Sequence, residues 1–162
     1  MNTSNRLVKF KNTVNSKVIV FEPAYNIRRE FPGKGAIQTI PFDLVEQLLW
    51  RPGFKNLVQT GILYIEDMQD KIDLQLEDPD TKTPTKIKVF TDEQILTLLR
   101  VRNYDDFVKE LSTVSVEQAN NVVDYAINND IIDTKKCDYL KTITGRDIIK
   151  SIAHKRQAAD VE

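Results

Sequence analysis

The order of apolar and polar positions changes character once along this chain, near residue 90. Before it, short β-branched runs stand between turn signals. Leu7 to Phe10 and Val18 to Phe21 are separated by the polar "KNTVNS", and Pro23, which has no N–H for a ladder, stops the second run. "NIRREF" and "AIQTI" flank Pro32-Gly33-Lys34-Gly35, where proline fixes one backbone angle and glycine permits positive φ. Residues 7–40 therefore predict about four short antiparallel strands.

Next comes "PFDLVEQLLW". Pro41 suits the opening of a helix, and Phe42, Val45, Leu48 and Leu49 share one face. The pattern predicts a short helix over about 41–50, stopped by Pro52-Gly53 and capping the open end of a small β-barrel or sandwich, with Trp50 buried beneath it; an exposed aromatic contact for a partner is the alternative for Trp50. "FKNLVQTG" and "ILYIE" have strand composition. Residues 71–90 predict a hairpin. Ile72, Leu74 and Leu76 alternate with acidic or polar residues, Ile87 and Val89 alternate with lysines, and the polar "DPDTKTPT" forms an exposed tip.

After Phe90 the period becomes helical. Thr91 to Gln94 and Ser115 to Gln118 have capping-box spacing, and Asn103, Asp133 and Thr144 are further candidate caps. Apolar faces follow each: Ile95, Leu98, Leu99; Phe107, Val108, Leu111; Val116 through Ile127; Cys137, Leu140, Ile143; and Ile148, Ile149, Ile152. Helices this short must pack on something. The expected architecture is α+β: a β-rich module over 1–90 with one short helix, then a bundle of about five short helices over 91–162.

Composition adds little to this. The 162 residues carry a formal charge of −1, so the molecule as a whole does not attract polyanions. The charge is unevenly spread: residues 1–60 hold nine basic against four acidic side chains, and residues 61–90 and 91–162 each net −3. A fluctuation in solvated surface charge accounts for this first, since isolated surface charges contribute little; the alternative is a basic first third that orients subunits head to tail or meets an acidic partner. No apolar run is long enough for a bilayer, and "MNTSNRLVKFKN" lacks the apolar core of a signal peptide, so the chain is expected to be made and folded in a cytoplasm.

Candidate chemistry is sparse. Cys137 is the only cysteine and lies on an apolar helix face, a core position. His154 is the only histidine and stands beside Lys155 and Arg156, without the partners a triad or a zinc site needs. The carboxylate clusters Glu66-Asp67-Asp70, Glu77-Asp78-Asp80 and Asp105-Asp106 do not match a calcium loop. "PGKGA" lacks the frame of a phosphate loop. No catalytic, cofactor-binding or metal-binding residue is predicted, and the expectation is a protein without enzymatic activity. Nucleic acid or a host protein, docked through the basic β module with its "RLVKFK" and "NIRRE", is the alternative partner.

Pro32-Gly33, the Pro41 to Trp50 segment, Pro52-Gly53 and the Thr144-Gly145-Arg146-Asp147-Ile148-Ile149 stretch, in that order, give the chain its outline. In this it resembles the small accessory structural proteins of tailed bacteriophages, which decorate a capsid or join head to tail. Its Asn-, Lys- and Ile-rich vocabulary suits an AT-rich genome. The resemblance implies a virion component made in the host bacterial cytoplasm. It would bind capsid, head–tail or other virion proteins, associate with its own copies on the particle, and need no cofactor or membrane. Exposure marks Arg28 and Arg29, and Asp80 and Lys82 on the 78–85 tip, as candidate partner contacts.

Overall fold

The protein is described from a computed structural model over residues 5–161. It is mixed α and β and divides into two compact units, one ending at Val89 and the other starting at Phe90.

In the first unit, β1 (Leu7–Asn12) directs Val8, Phe10 and Asn12 inward and Leu7 and Lys9 outward, the period of two that a half-buried strand requires. It pairs antiparallel with β4 (Ile37–Pro41), Val8 opposite Ile40, and on its other side with β5 (Leu63–Tyr64). β2 (Val18–Glu22) and β3 (Ile27–Phe31) form a separate hairpin, running from Val18 opposite Phe31 to Glu22 opposite Ile27. A 3-10 turn at Pro23–Tyr25 and Asn26 at φ 50° close it. The turn at 33–36 is held by Ala36 N–H donating to the Gly33 oxygen, with Gly35 at φ +89°.

The four strands expected over 7–40 are present, but they belong to two sheets and close no barrel. β3 and β4 share no main-chain ladder. Side chains bridge them instead: Arg29 Nε donates to the Thr39 oxygen at 2.9 Å, and Gln38 Nε2 to the Glu30 oxygen at 3.2 Å.

The helical layer of this unit departs from the sequence reading in three places. α1 is Phe42–Leu48, shorter than expected, and buries Phe42, Val45 and Leu48. Pro52 does not end that region in a strand. It opens a second helix, α2 (Pro52–Gln59), at the position where a missing N–H is harmless, and Phe54 and Val58, four apart, face the core. Trp50 is not buried: it is 87% exposed. Two residues past Leu48 is about 200° of helical rotation, so a chain that buries Leu48 turns Trp50 outward.

The hairpin expected over 71–90 is absent from the described residues. α3 (Met68–Asp73) takes its first three residues, capped by the Asp67 carboxylate, which accepts from Asp70 N–H at 2.9 Å. At its end Gln75 takes φ 60°, Gln75 N–H donates to the Ile72 oxygen, and Leu76 N–H to the Lys71 oxygen at 2.8 Å, the Schellman arrangement. The apparent alternation misled because the deeply buried positions include Lys71 and Glu77. The Glu77 carboxylate accepts from Thr85 N–H, the Thr85 hydroxyl and Lys86 N–H at 2.8, 2.9 and 3.1 Å. A side chain thus does at the base of the 78–85 loop what a strand ladder was expected to do. The core gathers Val8, Phe10, Phe31, Ile40, Leu48 and Leu63 with their neighbours, and Phe10 meets Phe54 edge to face at 5.7 Å.

The second unit is helical over the described residues: α4 (Asp92–Arg100), α5 (Tyr104–Leu111), α6 (Val116–Asn128), α7 (Thr134–Thr144) and α8 (Ile148–Asp160). Thr91 and Gln94 form a reciprocal capping box, and Ser115, Asn103 and Asp133 cap α6, α5 and α7. Thr144 does not cap α8. Its hydroxyl donates to the Leu140 oxygen in the last turn of α7, and Asp147 caps α8 by accepting from Lys150 N–H at 2.9 Å. Ile95, Phe107, Leu111, Val122, Leu140 and Ile148 are among the residues of a core that includes Cys137. Arg146 ties the α7–α8 turn to α6 through Asp124 at 2.7 Å.

Candidate interaction surface

β2 opens with Val-Ile-Val-Phe before Glu22, so over its first four residues both of its faces are apolar once it is extended. Val18 and Val20 enter the core, and Ile19 and Phe21, the latter 61% exposed, stand in solvent. Beside β2, Leu48, Arg51, Gly53, Phe54 and Leu57 form the opposite wall of a hollow of about 440 Å³. Leu49 and Trp50 line a second hollow of about 500 Å³, completed by Lys55 and the turn Leu74–Leu76. The segment Leu48–Arg51 therefore supplies walls to both. A third hollow, about 450 Å³, lies on the outward face of the three-stranded sheet, where Leu7 and Ile37 are exposed among Lys9, Lys11 and Tyr64.

The basic character of the first unit is largely neutralised in place. Arg6 binds Asp70 and reaches Asp73 at 2.6 Å, which holds the Asp73 carboxyl below the usual carboxylate range. Arg28 lies 2.6 Å from Glu30, and its hydrogen bond, with Lys17 nearby at 3.6 Å, lowers the Glu30 carboxyl in the same way. Lys11 pairs with Glu66 at 3.2 Å and Arg51 approaches Glu22 at 3.6 Å.

Of the predicted contacts, Arg28 is exposed on β3 and lies over the Phe21 ring at 5.8 Å. Arg29 is half-buried and spent on the bridge to Thr39. Asp80 and Lys82 are exposed on the loop that Glu77 closes. Among the described residues no hydrogen bond or ion pair joins the arginine pair to Asp80 or Lys82. Of the residues that frame the hollows, sequence reasoning favoured burial for Trp50, with exposure only as the alternative, and did not single out Phe21 as a contact. Their signal was present: an apolar run without polar alternates in β2, and a tryptophan out of phase with the buried face of α1.

The residues whose chemistry the sequence raised are placed as follows. His154 is exposed on α8. Cys137 is buried, and burial pushes its thiol up, away from thiolate reactivity. Lys71, 2% exposed, donates to the Tyr64 hydroxyl at 3.0 Å, but the cavity beside them is about 10 Å³, too small for a substrate. Among the described residues no cluster of three or more His, Cys, Asp or Glu has the arrangement to hold a metal ion, and no helix is long and apolar enough to cross a membrane. Comparison with known proteins found no matching family model, no matching curated protein and no matching solved structure.

Proposed function

We propose that this protein is a non-enzymatic assembly component that works through protein–protein surfaces, with Trp50 anchoring the principal contact. The observation that carries the reading is an 87% exposed tryptophan at the rim of a hollow of about 500 Å³. Tryptophan is enriched among the residues that dominate binding energy, because it brings a large apolar area at little entropic cost. Exposed Phe21, Ile19, Leu7 and Ile37 extend the apolar surface of the same unit. The resemblance to accessory proteins of tailed-phage particles supplies the setting: a virion, with capsid or head–tail proteins and further copies of this chain as partners. The alternative, docking of nucleic acid through the basic β module, has less support, since Arg6, Lys11, Lys17, Arg28 and Arg51 each stand within 4.0 Å of a carboxylate.

The test is the mass of the native chain and of Trp50→Ala over a concentration series at low and high salt, alone and with capsid or head–tail proteins of the host phage. Association that survives salt and is lost in Trp50→Ala is expected. Association of both chains to the same extent removes Trp50 from the interface. Binding of nucleic acid that collapses with salt, with no protein partner found, replaces the reading by its alternative.

A further inference from the structure

We infer that Glu77 is the positioning residue of the Trp50 contact: its carboxylate latches residues 78–86 as a strap, and the strap holds the turn Leu74–Leu76, the wall that shares the hollow with Trp50. This rests on the reading of Trp50 as the anchor of an interface and names what sets the shape of that site.

The two sides of the hollow are built differently. The Trp50 side belongs to α1 and α2, which bury Val45, Leu48, Phe54 and Val58. The other side, Asp73 to Leu76, is the end of the six-residue α3 and the left-handed Gln75. Its main-chain bonds lead back into α3 alone: Leu74 N–H donates to the Asp70 oxygen at 3.0 Å and Leu76 N–H to the Lys71 oxygen at 2.8 Å. Ionised groups tie this piece to the rest of the unit. Arg6 grips Asp70 and Asp73 at one end, and Glu77 grips the strap at the other.

The latch reaches the hollow through one side chain. Leu76 lines the hollow and also a cavity of about 10 Å³, which it shares with Val58, Leu63 and Ile87. Ile87 directly follows Lys86, whose N–H donates to the Glu77 carboxylate at 3.1 Å. With Ile87 in place, so small a void leaves Leu76 no room to retreat from the hollow. With the strap released, that support is gone.

Little else holds the strap. Among the described residues its other bonds are Thr81 N–H to the Asp78 oxygen at 3.1 Å and the exposed Lys86–Asp78 pair at 3.0 Å, which contributes little. The Glu77 side chain, by contrast, is buried, accepts from three donors and has the opposite charge of buried Lys71 to act on it.

The test is hydrogen exchange of the full chain, read at the Leu74 and Leu76 amides of the wall and at the Asn12 amide, which donates to the Ala36 oxygen at 2.9 Å outside it. The native chain is compared with Glu77→Gln, with Thr85→Val, which removes the hydroxyl donor alone, and with Val18→Ala, which weakens the core and leaves the latch intact. The expected result is wall exchange about tenfold faster in Glu77→Gln, several-fold faster in Thr85→Val, and unchanged in Val18→Ala, where Asn12 speeds up instead. Wall amides that speed up equally in the latch variants and in Val18→Ala open only with the whole unit, and the strap falls. It falls too if the latch variants leave the wall unchanged. If Glu77→Gln does not fold, Thr85→Val decides by the same comparison. Association with capsid or head–tail proteins and with further copies of the chain, in the same variants and in Trp50→Ala, separates the two claims. Trp50-dependent association about tenfold weaker in Glu77→Gln and retained in Val18→Ala supports the inference. If that association keeps its native strength in Glu77→Gln, the inference falls and the Trp50 reading stands. If wall exchange follows the latch but no association depends on Trp50, the latch stands and the Trp50 anchor falls.

Discussion

Lys136 of α7 donates from Nζ to the main-chain oxygen of Leu99 in the last turn of α4, at 2.6 Å. A second bond of 2.6 Å reaches the Val101 oxygen, and the ammonium sits 5.6 Å from the Phe107 ring centre. The side chain is 6% exposed as a residue, yet its charge is met by two carbonyls at the negative end of a helix. Lys136→Met keeps the apolar stem and removes the donor. Urea denaturation should show a loss of about 2–3 kcal/mol, against less than about 0.5 kcal/mol for the exposed neighbour in Lys135→Met. Equal effects would show that the bonds contribute nothing.

Among the described residues, α2, α3, α6 and α7 are each followed by a left-handed residue, Gly61, Gln75, Asp130 and Gly145, two of them glycines. Gly145 closes α7 at φ 73° and Gln75 closes α3 at φ 60°. A side chain in this region costs about 1 kcal/mol or more. Gln75→Gly is therefore expected to raise the denaturation midpoint and Gly145→Ala to lower it, each by the equivalent of about 1 kcal/mol. A loss in Gln75→Gly would mean that the Gln75 side chain contributes contacts that outweigh the backbone effect.

Glu77 makes the first unit sensitive to acid. Burial alone raises its carboxyl, but the N–H groups of Lys86 and Thr85 and the Thr85 hydroxyl outweigh burial and hold it below the ordinary value. A carboxyl lowered by folding is fully stabilising above its unfolded pKa of about 4.3 and loses that contribution as pH falls through the folded value. Glu77→Gln should therefore cost about 2 kcal/mol near neutrality and flatten the acid limb of the stability profile below about pH 4. A profile parallel to that of the native chain would place the acid sensitivity in other carboxylates, such as Asp73 or Asp147.

Trp50 gives an optical readout. Its exposure predicts long-wavelength fluorescence from the free chain, quenched readily by a soluble quencher, and a shift to shorter wavelength on association. Trp50→Ala should leave folding stability within about 0.5 kcal/mol and weaken association by about 2 kcal/mol or more. A blue emission in the dilute free chain would contradict the exposure itself.

The buried thiol offers a check on the helical core. Cys137, with its pKa raised by burial, should react with a thiol reagent only as fast as the second unit opens. Immediate labelling in native buffer would place the side chain at the surface.

Helices from residue 91 onward were legible because each advertises itself twice, by a cap and by an apolar face at the helical period. Thr144 failed as a cap because a threonine at the end of one helix competes with an aspartate three residues later, and Asp147 reaches the Lys150 N–H. The 71–90 hairpin failed for a different reason. Period-two alternation over six residues also fits a short helix followed by a reversal, and no glycine marks Gln75 as left-handed. Nothing local announces that Glu77 will bury its carboxylate against Thr85, eight residues away. Trp50 was misplaced by counting apolar content instead of phase. The candidate surface was legible only in its apolar residues; its hollows depend on α2, which Pro52 disguised as a stop.

The four residues Leu48–Arg51, shared as a wall between two hollows, impose a thermodynamic condition on whatever binds there. An occupant that packs against Leu48 and Arg51 on one side fixes the rotamers and backbone that Leu49 and Trp50 present on the other. The two sites are then energetically linked, and linkage is symmetric: if the first guest changes the affinity of the second by some factor, the second changes the first by the same factor. Where both hollows take partners, the first contact made would set the strength of the next without any moving part.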